Sequence, residues 1–298
     1  MPWLTVAALV CAGCAPEKWT VVAVGDVACD PNDSDFAQAQ GQNGRCAMAA
    51  TSQVAEAQSP DALLMLGDLQ YETGSADAFA QSFDVTWGRH KPKMKPAPGN
   101  HEYETPGAAG YFGYFGGLAG PDERGYYAFD LGPWRTYSLN SNCDEAGGCG
   151  QGSPQWAWLA QDLADHPRRC SLAYFHHPRF SSGLHGDHDQ MQAIWALLYQ
   201  HGVEIVLTGH DHSYERFSPL NDSAEADTAH GIRQFVVGSG GKNHYVRVRF
   251  REASEVFDSS SYGVLKLVLR PSAYSWQFVP IDGDAFSDSG TAACHVAR

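Results

Sequence analysis

Residues 203–212 read VEIVLTGHDH, an apolar run, one glycine, then three polar side chains in succession. An apolar run of four to eight residues is the length of a buried strand. A Gly at its end lets the chain turn tightly as it leaves. The same grammar recurs upstream. Residues 19–25 lead into Asp26, 62–67 into Asp68, and 171–175 into His176-His177, while Pro98-Gly99 precedes Asn100-His101. Between these runs lie helical patterns at 47–58, 75–87, 154–165 and 189–201. Strand and helix in alternation mark an α/β fold. In parallel α/β sheets the carboxyl ends of the strands share one rim, where ligands bind. The run ends therefore predict a single site bearing Asp26, Asp68, Asn100, His176, His210 and His212.

Working outward, residues 126–141 read as two adjacent strands split by Gly132-Pro133. The last third turns β-rich, with strands expected at 233–238, 263–269 and 273–280 and a turn at Arg270-Pro271-Ser272. Residues 103–125 carry seven glycines and read as a long surface loop. No repeat or low-complexity linker divides the chain, which predicts one domain over 19–298 behind a leader-like segment at 1–18.

Composition excludes several classes. With 20 Lys+Arg against 34 Asp+Glu, the 298-residue chain carries −14. A partner held through nucleic-acid phosphates needs a positive field, so none is expected. No apolar run reaches the roughly 18–20 residues of a membrane span. Residues 2–15 have the length of a secretory signal core without its cationic start, and Ala12-Gly13-Cys14 resembles the end of a bacterial lipoprotein signal. Cys14 is thus a candidate lipid anchor, and the expected location is extracytoplasmic. Six cysteines follow that segment, an even number that suits disulfides in an oxidising compartment. Spacing favours Cys29–Cys46 and Cys143–Cys149, which leaves Cys170–Cys294 to tie the tail to a core strand.

Carboxylate, amide oxygen and imidazole together suit hard or borderline metal ions, and so many donors exceed the needs of one ion. A two-metal site with a bridging carboxylate follows. At these residues the sequence resembles the calcineurin-like metallophosphoesterase superfamily. The ordered motifs are Gly25-Asp26, Gly67-Asp68, Gly99-Asn100-His101-Glu102, His176-His177-Pro178 and Gly209-His210-Asp211-His212. Gly67-Asp68-Leu69-Gln70-Tyr71 and Gly209 to Arg216 are similar to elements of the purple acid phosphatase branch. Ala28 departs from the glycine that usually ends the first motif.

The resemblance implies a four-layer αββα sandwich, two mixed β-sheets flanked by helices. It implies one metal on Asp26, Asp68, Tyr71 and His212, and a second on Asp68, Asn100, His176 and His210. The tyrosine implies Fe3+ in the first position, with Zn2+, Mn2+ or Fe2+ in the second. The implied reaction is hydrolysis of a phosphate monoester by in-line attack of a metal-bridging hydroxide. A phosphodiesterase and a non-catalytic metal-binding surface lipoprotein are the alternatives. His101 and His185 are the candidate catalytic histidines, and Asn100, His101, His177 and His185 the candidate substrate contacts. Where the branch often carries a second histidine after His185, this chain has Gly186. Glu102, Glu215 and Arg216 are expected to orient ligands by hydrogen bonds, and Phe112, Tyr114 and Phe180 are candidates for the mouth lining.

Overall fold

The computed structural model describes residues 17–295; residues 1–16 of the leader-like segment, Cys11 and Cys14 among them, lie outside these. Thirteen strands occur among the described residues. They are β1 (Trp19–Val24), β2 (Ala62–Leu66), β3 (Met94–Ala97), β4 (Tyr127–Leu131), β5 (Trp134–Ser138), β6 (Ser171–Tyr174) and β7 (Ile205–Thr208). The remainder are β8 (Tyr214–Phe217), β9 (Arg233–Val237), β10 (Ser254–Asp258), β11 (Gly263–Arg270), β12 (Ala273–Pro280) and β13 (Ser289–Ala293). They form two sheets, ordered β13-β12-β11-β1-β2-β3 and β10-β8-β9-β7-β6-β5-β4. Both are mixed. β1, β2 and β3 run parallel while β1 meets β11 antiparallel, and β5, β6, β7 and β9 run parallel between antiparallel flanks.

Side-chain alternation along each strand builds the layers. Val21 and Ala23 of β1 point into a core between the sheets, where they join Leu64, Leu172, Leu207 and Phe235. Val22 and Val24 point the other way, into a core beneath the helix Met48–Ala57 and the helical stretch 76–87. Across the second sheet, Ala173 and Val206 pack against Leu159 of the helix Pro154–Asp165 and Trp195 of the helix Gln192–Gln200. Helices, sheet, sheet and helices make the four expected layers. A strand buried on both faces must be apolar throughout, which is why these runs are legible in the sequence.

Two readings need correction. Residues 103–125 are not an open loop. They hold the helix Ala109–Phe115, whose Tyr111, Phe112 and Phe115 are buried. Gly110 is there for close approach, since a Cβ on it would stand 2.1 Å from the Gly74 carbonyl oxygen. Phe112 and Tyr114 accordingly belong to the core side of this layer, and Phe180 packs on Trp195 at 5.0 Å, so none of the three lines a mouth. Strands β3, β8, β10 and β13 carry weak apolar signals, because three of them are sheet edges and β8 reads Tyr-Glu-Arg-Phe.

All three expected disulfides are present, Cys29–Cys46, Cys143–Cys149 and Cys170–Cys294. The last spans 124 residues and closes the longest loop, so it constrains the unfolded chain most, by about 5 kcal/mol on the chain-entropy estimate. No helix among the described residues is long and apolar enough to cross a membrane.

Candidate metal centre

The ends of β1, β2, β3, β6 and β7 deliver their polar residues to one place. The backbone bends at the functional residues themselves: Asp26, Asp68 and His210 have φ of 60°, 48° and 69°. Left-handed backbone at a non-glycine residue costs on the order of 1–3 kcal/mol and persists only where the surroundings enforce it. The preceding glycines serve mainly to make room. A Cβ on Gly67 would stand 2.6 Å from His176 Nδ1, and one on Gly99 would stand 2.1 Å from Asp68 Oδ1.

Two groups of atoms converge on Asp68 Oδ2. In the first, the Tyr71 hydroxyl lies 2.9 Å from Asp26 Oδ1, 3.1 Å from Asp68 Oδ2 and 2.9 Å from His212 Nε2. His212 Nε2 in turn lies 3.3 Å from Asp26 Oδ1. In the second, His176 Nε2 lies 3.1 Å from Asp68 Oδ2, 3.2 Å from Asn100 Oδ1 and 3.2 Å from His210 Nδ1. All seven residues expected to ligate metal are therefore brought together, in the two expected sets. Asp26, Asp68, Tyr71, His176 and His212 are buried, while Asn100 and His210 are half-buried at the opening.

Hydrogen bonding alone does not satisfy this arrangement. The Tyr71 hydroxyl has one proton for three acceptor-type neighbours. His176 Nδ1 must donate to the Leu66 carbonyl at 2.9 Å, because a carbonyl only accepts, so in the neutral ring Nε2 presents a lone pair to Asp68, Asn100 and His210. Lone pairs packed at about 3 Å in a buried site call for positive charge between them, and the residues fit two cations. With no ion between them, a proton on His176 supplies part of that charge. Burial disfavours a charged His176, yet the Asp68 carboxylate outweighs it and pushes the pKa up to about 9. Burial would raise Asp68, but His176, His101 and His210 hold it below the usual carboxylate range. Burial, Asp26 and Asp68 push the Tyr71 phenol well up. Burial and His176 push His210 and His177 well down, which leaves these imidazoles neutral and able to bind a cation.

The other expected residues form a ring around this cluster. His101 donates its Nδ1 proton to the Glu72 carbonyl, and its Nε2 lies 3.9 Å from Asp68 Oδ2. The His185 ring lies 4.2 Å from that of His210, in a loop held by Asp211, which accepts from the His185 amide at 2.9 Å. The His177 ring lies 4.5 Å from His210, with Nδ1 against Ser141 Oγ at 2.9 Å. Glu102 performs its expected role through the backbone, accepting from the amides of Asp68, Leu69, Gln70 and Gly99. That pins the β2 and β3 ends together. Glu215 accepts from the Ser182 amide and so shapes the His185 loop. Arg216 plays no part here: it pairs with Asp288 at the far side of β8.

Sequence reasoning missed Asn243 and Tyr245. Asn243 Oδ1 lies 2.7 Å from His212 Nδ1, and the Tyr245 ring stacks on His212 at 4.0 Å. The signal was available, because β9 ends in Gly238-Ser239-Gly240-Gly241, the same apolar-run-to-glycine grammar as the other strands.

Residues 20–214 match the family model for calcineurin-like phosphoesterase. The chain belongs to that family. It is 29% identical over 244 residues to purple acid phosphatase 18 of Arabidopsis thaliana, covering 74% of this chain and 54% of that protein. It spans about half the length of the curated relatives it matches. Its fold is similar to that of a purple acid phosphatase from yellow lupin seeds, with a TM-score of 0.73 at 20% identity over 94% of this chain and 55% of the other. It is also similar to GAP50, the anchor in the inner membrane complex of Plasmodium. That match has a TM-score of 0.66 at 13% identity over 94% and 90% of the two chains. A shared fold does not decide the function, which must be argued from the site.

Proposed function

We propose that this phosphoesterase is a binuclear metal-dependent phosphatase acting on phosphate monoesters. The observation that carries the reading is the single carboxylate oxygen, Asp68 Oδ2, shared by two complete donor sets. One set (Asp26, Asp68, Tyr71, His212) is rich in anionic oxygen. A buried phenol flanked by two carboxylates ionises only beside a strongly charged ion, so this set is assigned to Fe3+. The other set (Asp68, Asn100, His176, His210) is assigned to Zn2+, Mn2+ or Fe2+.

When bound, the two ions supply Lewis acidity toward a phosphate oxygen and a water acidified for in-line attack. The chain supplies the rest. Three anionic side chains against two ions leave the centre net positive, so an anionic ester is drawn to it despite the acidic body. Asn100 and His210, half-buried, stand between the buried donors and the opening, where His177 and His185 contact the phosphate. His101 Nδ1 is committed to the Glu72 carbonyl, so its Nε2 is the nitrogen that gains and gives a proton at the mouth. That is the role of proton donor to the departing alkoxide. Three disulfides support an extracytoplasmic location, with Cys14 as the proposed anchor.

Initial rates on an aryl phosphomonoester and the matching bis-aryl diester, each with and without a strong chelator, test the proposal. A chelator-sensitive preference for the monoester is expected. Preference for the diester would replace the monoesterase reading, and turnover indifferent to chelator would defeat the metal-dependent one.

A further inference from the structure

Residues 242–251 read KNHYVRVRFR, a basic stretch in a chain whose net charge is −14. The fold lays it along the edge of the candidate centre and pins it at several points. The Tyr245 amide donates to the His212 carbonyl at 3.0 Å, and the amides of Val248 and Arg249 both donate to the Ser182 carbonyl, at 3.0 and 3.1 Å. Arg251 Nε donates to the Ser181 carbonyl at 3.1 Å, and its guanidinium pairs with Asp187 at 2.5 Å. Arg249 is thus held beside the loop that carries His185.

The Arg249 guanidinium lies directly against Gly186. A Cβ on Gly186 would stand 1.4 Å from Arg249 Nη1, and Gly186 has φ +73°, so any other residue would be strained there and would displace the arginine. The absence of a side chain after His185 thus has a physical counterpart, a guanidinium occupying the space. Neighbouring cations are neutralised, Arg251 by Asp187, Lys242 by Asp33 and Glu72, and Arg216 by Asp288. Arg247 stacks on the Phe250 and Phe257 rings and donates through Nε to the Arg249 carbonyl. Arg249 is exposed, and among the described residues its side chain makes no ion pair or hydrogen bond. The opposite flank has the reverse character: the cleft beside Asn100 and His177 is lined by Glu104, Asp144 and Glu145.

We propose that Arg249 is an anion subsite that receives a second phosphate group carried by the leaving portion of the substrate. The inference rests on the phosphatase reading and names its substrate class, a phosphate ester bearing a further phosphate. A guanidinium matches a phosphate bidentately, and the acidic cleft on the other flank repels it, so such a substrate lies with its leaving group toward Arg249.

Calorimetry on the metal-loaded full chain tests this with two probes, pentylphosphonate and pentane-1,5-bisphosphonate, whose flexible chain lets the second group find its partner. Wild type is expected to bind the bisphosphonate at least fivefold more tightly. Arg249→Ala should abolish that advantage and leave pentylphosphonate binding within twofold. Arg249→Lys should retain part of it, and added salt should shrink it. Equal binding of the two probes by wild type, or an advantage that survives Arg249→Ala, overturns the subsite. Phenyl phosphate turnover in the same preparations judges the phosphatase reading separately: its absence would defeat that reading whatever Arg249 does, and Arg249→Ala should leave it unchanged.

Discussion

The two donor sets that meet at Asp68 differ in chemistry. Around Tyr71 the donors are two carboxylates, a phenol and one imidazole, all buried. Around His176 they are one shared carboxylate, an amide oxygen and two imidazoles, with Asn100 and His210 nearer the opening. The first set concentrates negative charge where water is excluded, and a charge of that density is stable only beside a highly charged cation. The second is closer to neutral and open at one side, which suits a softer divalent ion with room for substrate. On the proposed assignment, one carboxylate joins a tightly held structural half to a more accessible working half.

The largest effect that would separate the halves comes from Asn100→Ala or His210→Ala. Each should lower activity by 10³-fold or more while removing only one ion per chain, read by elemental analysis, with unfolding still cooperative. His101→Ala should lower kcat by about 10²-fold on alkyl esters and much less on aryl esters, whose leaving groups need no proton, and a uniform loss would contradict its role. Glu102→Gln holds the β2 and β3 ends less firmly without removing a donor, so both ions should bind about tenfold more weakly. An effect on one ion alone would mean that Glu102 does not serve the two halves in common. Tyr71→Phe should change activity least and spectrum most, abolishing a visible phenolate-to-iron band that the Asn100 and His210 variants keep.

The same contrast explains what was legible. The runs of β1, β2, β6 and β7 are buried on both faces, so their apolar character is forced and their ends could be found by inspection. Every residue of the two donor sets except Asn100 sits a few positions beyond such an end; Asn100 follows the weaker edge strand β3 and is marked only by Pro98-Gly99. The helix Ala109–Phe115 was hidden because its glycines read as flexibility, whereas Gly110 is required by the nearby Gly74 carbonyl. Asn243 and Tyr245 were hidden for another reason. The glycine-rich end of β9 marks where the chain leaves the sheet, but the two residues lie in a segment without regular structure, and the bonds to His212 and Ser182 that place it follow no local pattern. Arg216 misled in the opposite way, since adjacency to a motif says nothing about which side of a strand a residue faces.

The most direct test of the shared carboxylate is the metal content of Asp68→Asn beside wild type, measured on folded protein after dialysis against excess metal. Wild type should hold two ions per chain, and Asp68→Asn should lose affinity for both and all measurable phosphatase activity. Retention of two ions by the variant, or loss of only one, would contradict a bridging role and dissolve the link between the halves.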